Sequence, residues 1–165
     1  MSTIQNLLKE LIEESVVTRK MLERIPDDQY DWQPHQKSMS IRKLAGHIAE
    51  LPGWISLTLH TDGLNFADQP YESPVWNTNS ELLELFEKSL EEAKTSLENA
   101  KEEDLLPNWT LKNGDQVLMI KTKGEVVRHS MSQIVHHRAQ LGVYLRLLDV
   151  PLPGTYGPSA DDPNF

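Results

Sequence analysis

The chemistry this chain can perform is concentrated in a few polar residues set on otherwise apolar helix faces. The stretch "SQIVHHRAQLGVYLRLL", residues 132–148, reads as a helix that includes Gln133, His136, His137 and Arg138. On a helix turning about 100° per residue, Ile134, Leu141, Leu145, Leu148, Val127 and Met131 form one inward stripe. His137 falls on the edge of that stripe, about 60° from Ile134, and Gln133, one turn earlier, lies about 40° further out. Arg138 sits among the leucines, and His136 points the opposite way. A second helical stretch repeats the pattern. Its stripe is Leu44, Ile48, Leu51, Trp54 and Ile55, with His47 about 60° from Leu44. His47 from one helix, with Gln133 and His137 from another, therefore converge as a three-donor facial set for a transition metal, with open positions for water or substrate. The same residues also read as core histidines satisfied by hydrogen bonds, since buried polar groups find partners. Both readings stand at this level.

The remaining polar groups have simpler expectations. His35, His60, His129 and His136 read as surface or loop residues. Arg138 reads as a buried guanidinium paired with a carboxylate such as Glu50, holding helices in register. Tyr144 and Gln140 are candidates for hydrogen bonding beside a metal. No G-x-S-x-G, P-loop or dinucleotide fingerprint is present.

Four amphipathic helices must position these groups. The first runs from about Ser2 to Ile25, with Ser2 and Gln5 as a capping box. The second runs from about Ile41 to His60 behind the N-cap Ser40. The third spans about Ser80 to Lys101, opened by Thr78 with Glu81. The fourth spans about Gly124 to Leu148, opened by a capping box of Thr122 and Glu125. Between the last two, "WTLKNGDQVLMIKT" places Asn113-Gly114 between residues of strand type, a hairpin signal. Residues 61–79 have prolines, glycine and aromatics without a period. They read as a long ordered loop whose Phe66, Tyr71 and Trp76 would wall a pocket. The proline-broken tail "PLPGTYGPSADDPNF" cannot be helical. The expected fold is all-α: a four-helix bundle in one domain over residues 1–165, with a small β-hairpin excursion before the last helix.

Composition narrows the function. The chain has 165 residues, a formal charge of −9 and no cysteine. The charge and the lack of a Lys/Arg cluster argue against nucleic acid and anionic membranes as partners. Without cysteine there is no disulfide, thiolate ligand or cysteine nucleophile, so any thiol chemistry must use a thiol that arrives with the substrate. The acidic, amphipathic start is unlike a signal peptide and no apolar run has the length of a membrane span, so the expected location is the cytoplasm.

Two segments resemble a known family. "HHRAQLGVYLRLLDVPLPGTYGPSADD" is similar to the C-terminal signature of the DinB family, typically H-x-x-H-H-R-x-Q-L followed by Y-L-R and a YGPSAD-type tail. "DWQPHQKSMSIRKLAGHIAELPGW" resembles its other signature, a helix with L-x-x-H-x-A-E after a W-x-P loop. The resemblance covers essentially the whole chain. It implies a four-helix bundle with a divalent transition metal (zinc, nickel or manganese) held by His47, His137 and a middle ligand. That middle ligand is usually His and sometimes Glu; here the position is Gln133. The resemblance further implies a metal-dependent enzyme acting on a small molecule, of the thiol S-transferase type with an exogenous low-molecular-weight thiol. The alternatives are a metal-dependent hydrolase, or a non-catalytic bundle with a structural metal that acts as a binding module. A small-molecule substrate and a homodimer are the partners this reading allows.

Overall fold

The computed structural model describes residues 2–163. Among them are five α-helices: α1 (Thr3–Leu22), α2 (Ile41–Glu50), α3 (Gly53–His60), α4 (Asn79–Asn99) and α5 (Lys123–Leu147). The helix starts follow their caps. Ser2 accepts from the Gln5 amide while the Gln5 side chain accepts from the Ser2 amide, and Thr122 and Glu125 form the same reciprocal pair. Ser40 and Thr78 cap α2 and α4 by accepting from Lys43 and Glu81. Each pair satisfies amide donors that have no partner within the helix.

The expected second helix is two helices. Pro52 has no amide hydrogen and its ring crowds the preceding turn, so the α2 ladder stops at Glu50 and α3 restarts at Gly53. Neighbouring helices satisfy the backbone groups this break frees. Ser89 of α4 donates to the Glu50 carbonyl (3.1 Å) and accepts from the Gly53 amide (2.7 Å). Ser130 of α5 donates to the Leu51 carbonyl (2.7 Å). Both serines are buried. The α2–α3 arm packs with α4 and α5, and α1 packs against α4 and α5, giving four bundle positions. Leu11, Leu22, Ile41, Leu44, Ile48, Ile55, Phe86, Leu97 and Leu141 fill the space between them.

The fold is not strictly all-α. A three-stranded mixed sheet of β1 (Gly63–Asn65), β2 (Asn108–Asn113) and β3 (Gln116–Thr122) joins the bundle, in the order β1-β2-β3. The hairpin is β2–β3, antiparallel, closed by Gly114 and Asp115. Gly114, with φ +60°, takes the first central position, where glycine meets the left-handed backbone without a Cβ penalty. β1 comes from the segment expected to be loop and pairs parallel with β2. Its three residues have no strand signature of their own. Gly63 permits the pairing, because a Cβ there would stand 2.4 Å from the Thr110 carbonyl oxygen. Trp109 of β2 is fully buried; its indole lies 6.5 Å from that of Trp54 of α3 and donates to Thr61 Oγ1 (3.0 Å). This anchor docks the hairpin over the α3–α5 side of the bundle.

Candidate functional site

His47 and His137 reach one place from two helices. Their ring centroids are 4.8 Å apart, with the planes at 75°. The phase of α2 turns His47 off its fully buried face, leaving the side chain 22% exposed, whereas His137 on α5 is buried. His136 is exposed on the other side of the same helix. Each of the two inward rings has one nitrogen committed. His47 Nδ1–H donates to Glu50 Oε1 at 2.6 Å, and His137 Nδ1–H donates to Gln140 Oε1 at 2.9 Å. An acceptor at Nδ1 selects the tautomer whose lone pair is on Nε2. Burial, above all, pushes the His137 pKa below the ordinary imidazole value, and the nearby His47 and His136 push it the same way against the Gln140 hydrogen bond. A neutral imidazole is the form that can ligate.

Both histidines line a cavity of about 290 Å³. Gln133 lines it too, half-buried, and its amide N–H donates to His129 Nε2 (3.3 Å), so the carbonyl oxygen is the atom of that amide left uncommitted by this contact. His129 is exposed, as expected of a surface residue, yet it stands on the cavity rim. The spacing of four between His129 and Gln133 was a signal for this pair. The rest of the lining is apolar: Leu51 and Trp54 flank the Pro52 break, Val126 belongs to α5, and Leu111 and Met119 come from the hairpin. Leu111 and Met119 are direct partners in the strand register. The hairpin's place in this lining has no signature in the sequence, because it depends on where Trp109 docks the strands.

Several expected partners are different. Arg138 is buried on α5 and pairs with Glu14 of α1 (2.6 Å), not with Glu50, and also donates to Thr18 Oγ1 (3.1 Å). Glu50 is taken by the site instead, where its Oε1 accepts from both His47 and Tyr71 (2.7 Å). Of the three aromatics expected to wall a pocket, only Tyr71 approaches the histidines, with its ring 6.3 Å from that of His47. Burial first, then the bond to Glu50 and its charge, push the Tyr71 pKa up to about 12, so it remains a donor. Trp76 is in the core against Tyr30, and Phe66 is held at the sheet by its backbone N–H, which donates to the Lys112 carbonyl. Gln140 is beside His137 as expected, while Tyr144 packs edge-on to Trp32.

Among the described residues, no group of three or more His, Asp or Glu side chains is arranged to hold a metal ion. The set of His47, Gln133 and His137 has an amide as its third donor. In kind it fits a divalent transition metal: two imidazoles with Nδ1 anchored, one of them favoured neutral by burial, and one amide oxygen. No helix among the described residues is long and apolar enough to cross a membrane.

Comparison with known proteins agrees with this architecture. No curated protein matches the chain. Among solved structures, a DinB-like protein from Bacillus cereus superimposes with a TM-score of 0.72 at 19% identity, covering 92% of this chain and 97% of that one. A DinB-like protein from Bacillus subtilis gives 0.67 at 22% identity, over 87% of this chain and 92% of that one. A mycothiol-dependent maleylpyruvate isomerase gives 0.61 at 12% identity, over 84% of this chain and 60% of that one. These likenesses concern the fold. The family model for DinB matches residues 1–164, and the chain belongs to the DinB family.

Proposed function

We propose that this protein is a metal-dependent enzyme of small-molecule chemistry, of the thiol S-transferase type, which holds zinc, nickel or manganese through His47, Gln133 and His137. The observation that supports this most directly is the pairing of His47 and His137 across α2 and α5 in one cavity, each with Nδ1 tied to an acceptor. The exogenous thiol is suggested by the absence of cysteine and by the fold shared with an isomerase that depends on mycothiol.

Such an ion, when bound, supplies the Lewis acidity that makes a thiol or a water nucleophilic near neutral pH. The chain's own residues orient and enclose. Glu50 fixes the His47 ring and adds negative charge behind it, and Tyr71 steadies Glu50 by donating to the same oxygen. Gln140 fixes the His137 ring. His129 holds the NH₂ end of the Gln133 amide. In this reading His47 and His137 are ligands and not acid or base, because ligation commits the imidazole lone pair. Leu51, Trp54 and the hairpin residues keep water from one side of the reacting groups.

Metal analysis of untagged protein tests the reading. About one transition-metal ion per chain is expected, with His47→Ala and His137→Ala each losing it and His136→Ala retaining it. Loss in His136→Ala alone would overturn the assignment. A second reading, a binding module without catalysis, is favoured by the amide third donor, which is weaker than the His or carboxylate ligands of stronger sites. Metal-loaded protein that turns over neither electrophiles with small thiols nor hydrolysable esters would favour it.

A further inference from the structure

The cavity beside His47 and His137 has both polar and apolar lining, and the part contributed by the hairpin indicates what enters it. Its polar groups, the three histidines, Gln133 and Ser130, all come from α2 and α5. Ser130 is already committed to the Leu51 carbonyl. The rest of the lining is the apolar Leu51, Trp54, Leu111, Met119 and Val126, and no Lys, Arg, Asp or Glu side chain lines the cavity. Leu111 and Met119 sit opposite one another across the β2–β3 ladder, beside an irregularity in register at Leu111/Lys112. Their neighbours Lys112 and Leu118 are exposed. The alternation of the strands thus turns Leu111 and Met119 to the cavity and Lys112 and Leu118 to solvent.

From this arrangement we infer that the substrate body beyond the reacting group is uncharged and apolar, of one- or two-ring size, and that Leu111 and Met119 set this preference. The inference rests on the reading of this cavity as the site of chemistry. A carboxylate on that body would surrender its hydration against Trp54, Leu111 and Met119 with no cationic side chain to replace it. An apolar ring would bury its surface against these side chains. At about 290 Å³ the space lies at the small end of ligand sites.

The test uses a pair of probes with the same shape and different charge, 2-naphthamide and 2-naphthoate, titrated calorimetrically against the full chain as purified and after chelation. Chelated protein separates the cavity's preference from attraction of the anion to an ion. The expected result on chelated protein is binding of 2-naphthamide at least about tenfold tighter than 2-naphthoate. Met119→Lys and Leu111→Lys should each shrink or invert that ratio, while Leu118→Lys, on the outer face of the same strand, should leave it unchanged. Circular dichroism confirms that each variant is folded. Equal affinity for the two probes, no binding of 2-naphthamide, or an equal response to Leu118→Lys would overturn the inference. Metal content, measured separately, can fail without affecting this outcome: selective binding of 2-naphthamide by a protein that takes up no metal would sink the metal assignment and leave the cavity's preference standing.

Discussion

Glu50 Oε1 lies 2.6 Å from His47 Nδ1, one turn further along α2, and both side chains are about four-fifths buried, at 20% and 22% exposure. A short, partly desolvated contact of this kind orients the ring. Glu50→Gln keeps the shape and an acceptor but removes the charge. Metal affinity is then expected to fall by about 10–100-fold with the fold intact. Competition titration against a chromophoric zinc chelator measures this, and unchanged affinity would show that Glu50 does not tune the ligand.

In the proposed site Gln133 is the middle donor, a neutral amide. Gln133→His should tighten zinc binding, since imidazole is the stronger ligand. His129→Ala removes the acceptor for the amide N–H. It should weaken metal binding in the Gln133 protein and have much less effect in the Gln133→His variant. Equal losses in both backgrounds would mean that His129 does not act through Gln133.

Removing metal should leave the bundle standing. The core between α1, α2, α4 and α5 is contiguous and made of large aliphatic and aromatic side chains, whereas His47 and Gln133 lie at its edge, only partly buried. A chain whose core depends on its ion unfolds when stripped, as small zinc domains do. Here, the far-UV circular dichroism should be unchanged by chelation at room temperature, with the melting temperature lowered and not abolished. Unfolding on addition of chelator would contradict this.

Arg138 and Glu14 form a buried ion pair between α5 and α1, with side-chain exposures of 3% and 14%. Tyr156 from the C-terminal tail donates to the other oxygen of Glu14 (2.7 Å), and its ring lies 5.3 Å from the guanidinium. Arg138→Ala strands the Glu14 carboxylate and should destabilise the protein by about 3–5 kcal/mol in urea unfolding. Pairing it with Glu14→Gln should recover part of the loss, because the stranded charge is then gone. A single-variant cost below about 1 kcal/mol would place the pair among solvent-screened surface bridges.

Helical period and caps were readable along the chain because both are local. The apolar spacing places α1, α4 and α5 within a few residues, the caps at Ser2, Ser40, Thr78 and Thr122 operate over three residues, and the phase of α5 separates His137 from His136 without any tertiary contact. Even the hairpin was legible from one dipeptide, since Gly114 alone supplies the backbone the turn needs. Pro52 was also visible, but a continuous stripe from Leu44 to Ile55 masked its effect. Whether the ladder breaks there depends on Ser89 and Ser130, which lie on other helices and take up the freed groups.

Only the tertiary structure decided the pairings between distant segments. Arg138 was expected to pair with a carboxylate such as Glu50, but the packing of α1 against α5 brings Glu14 to it while Glu50 stays beside His47. β1 has no strand character alone, and exists because β2 lies alongside and Gly63 allows the approach. The apolar wall of Leu111 and Met119 depends on the burial of Trp109, a contact between segments far apart in the chain. Periodicity states which face of an element turns inward. Which partner waits there is set by how the faces of different elements fit together, and that information belongs to the packed chain as a whole.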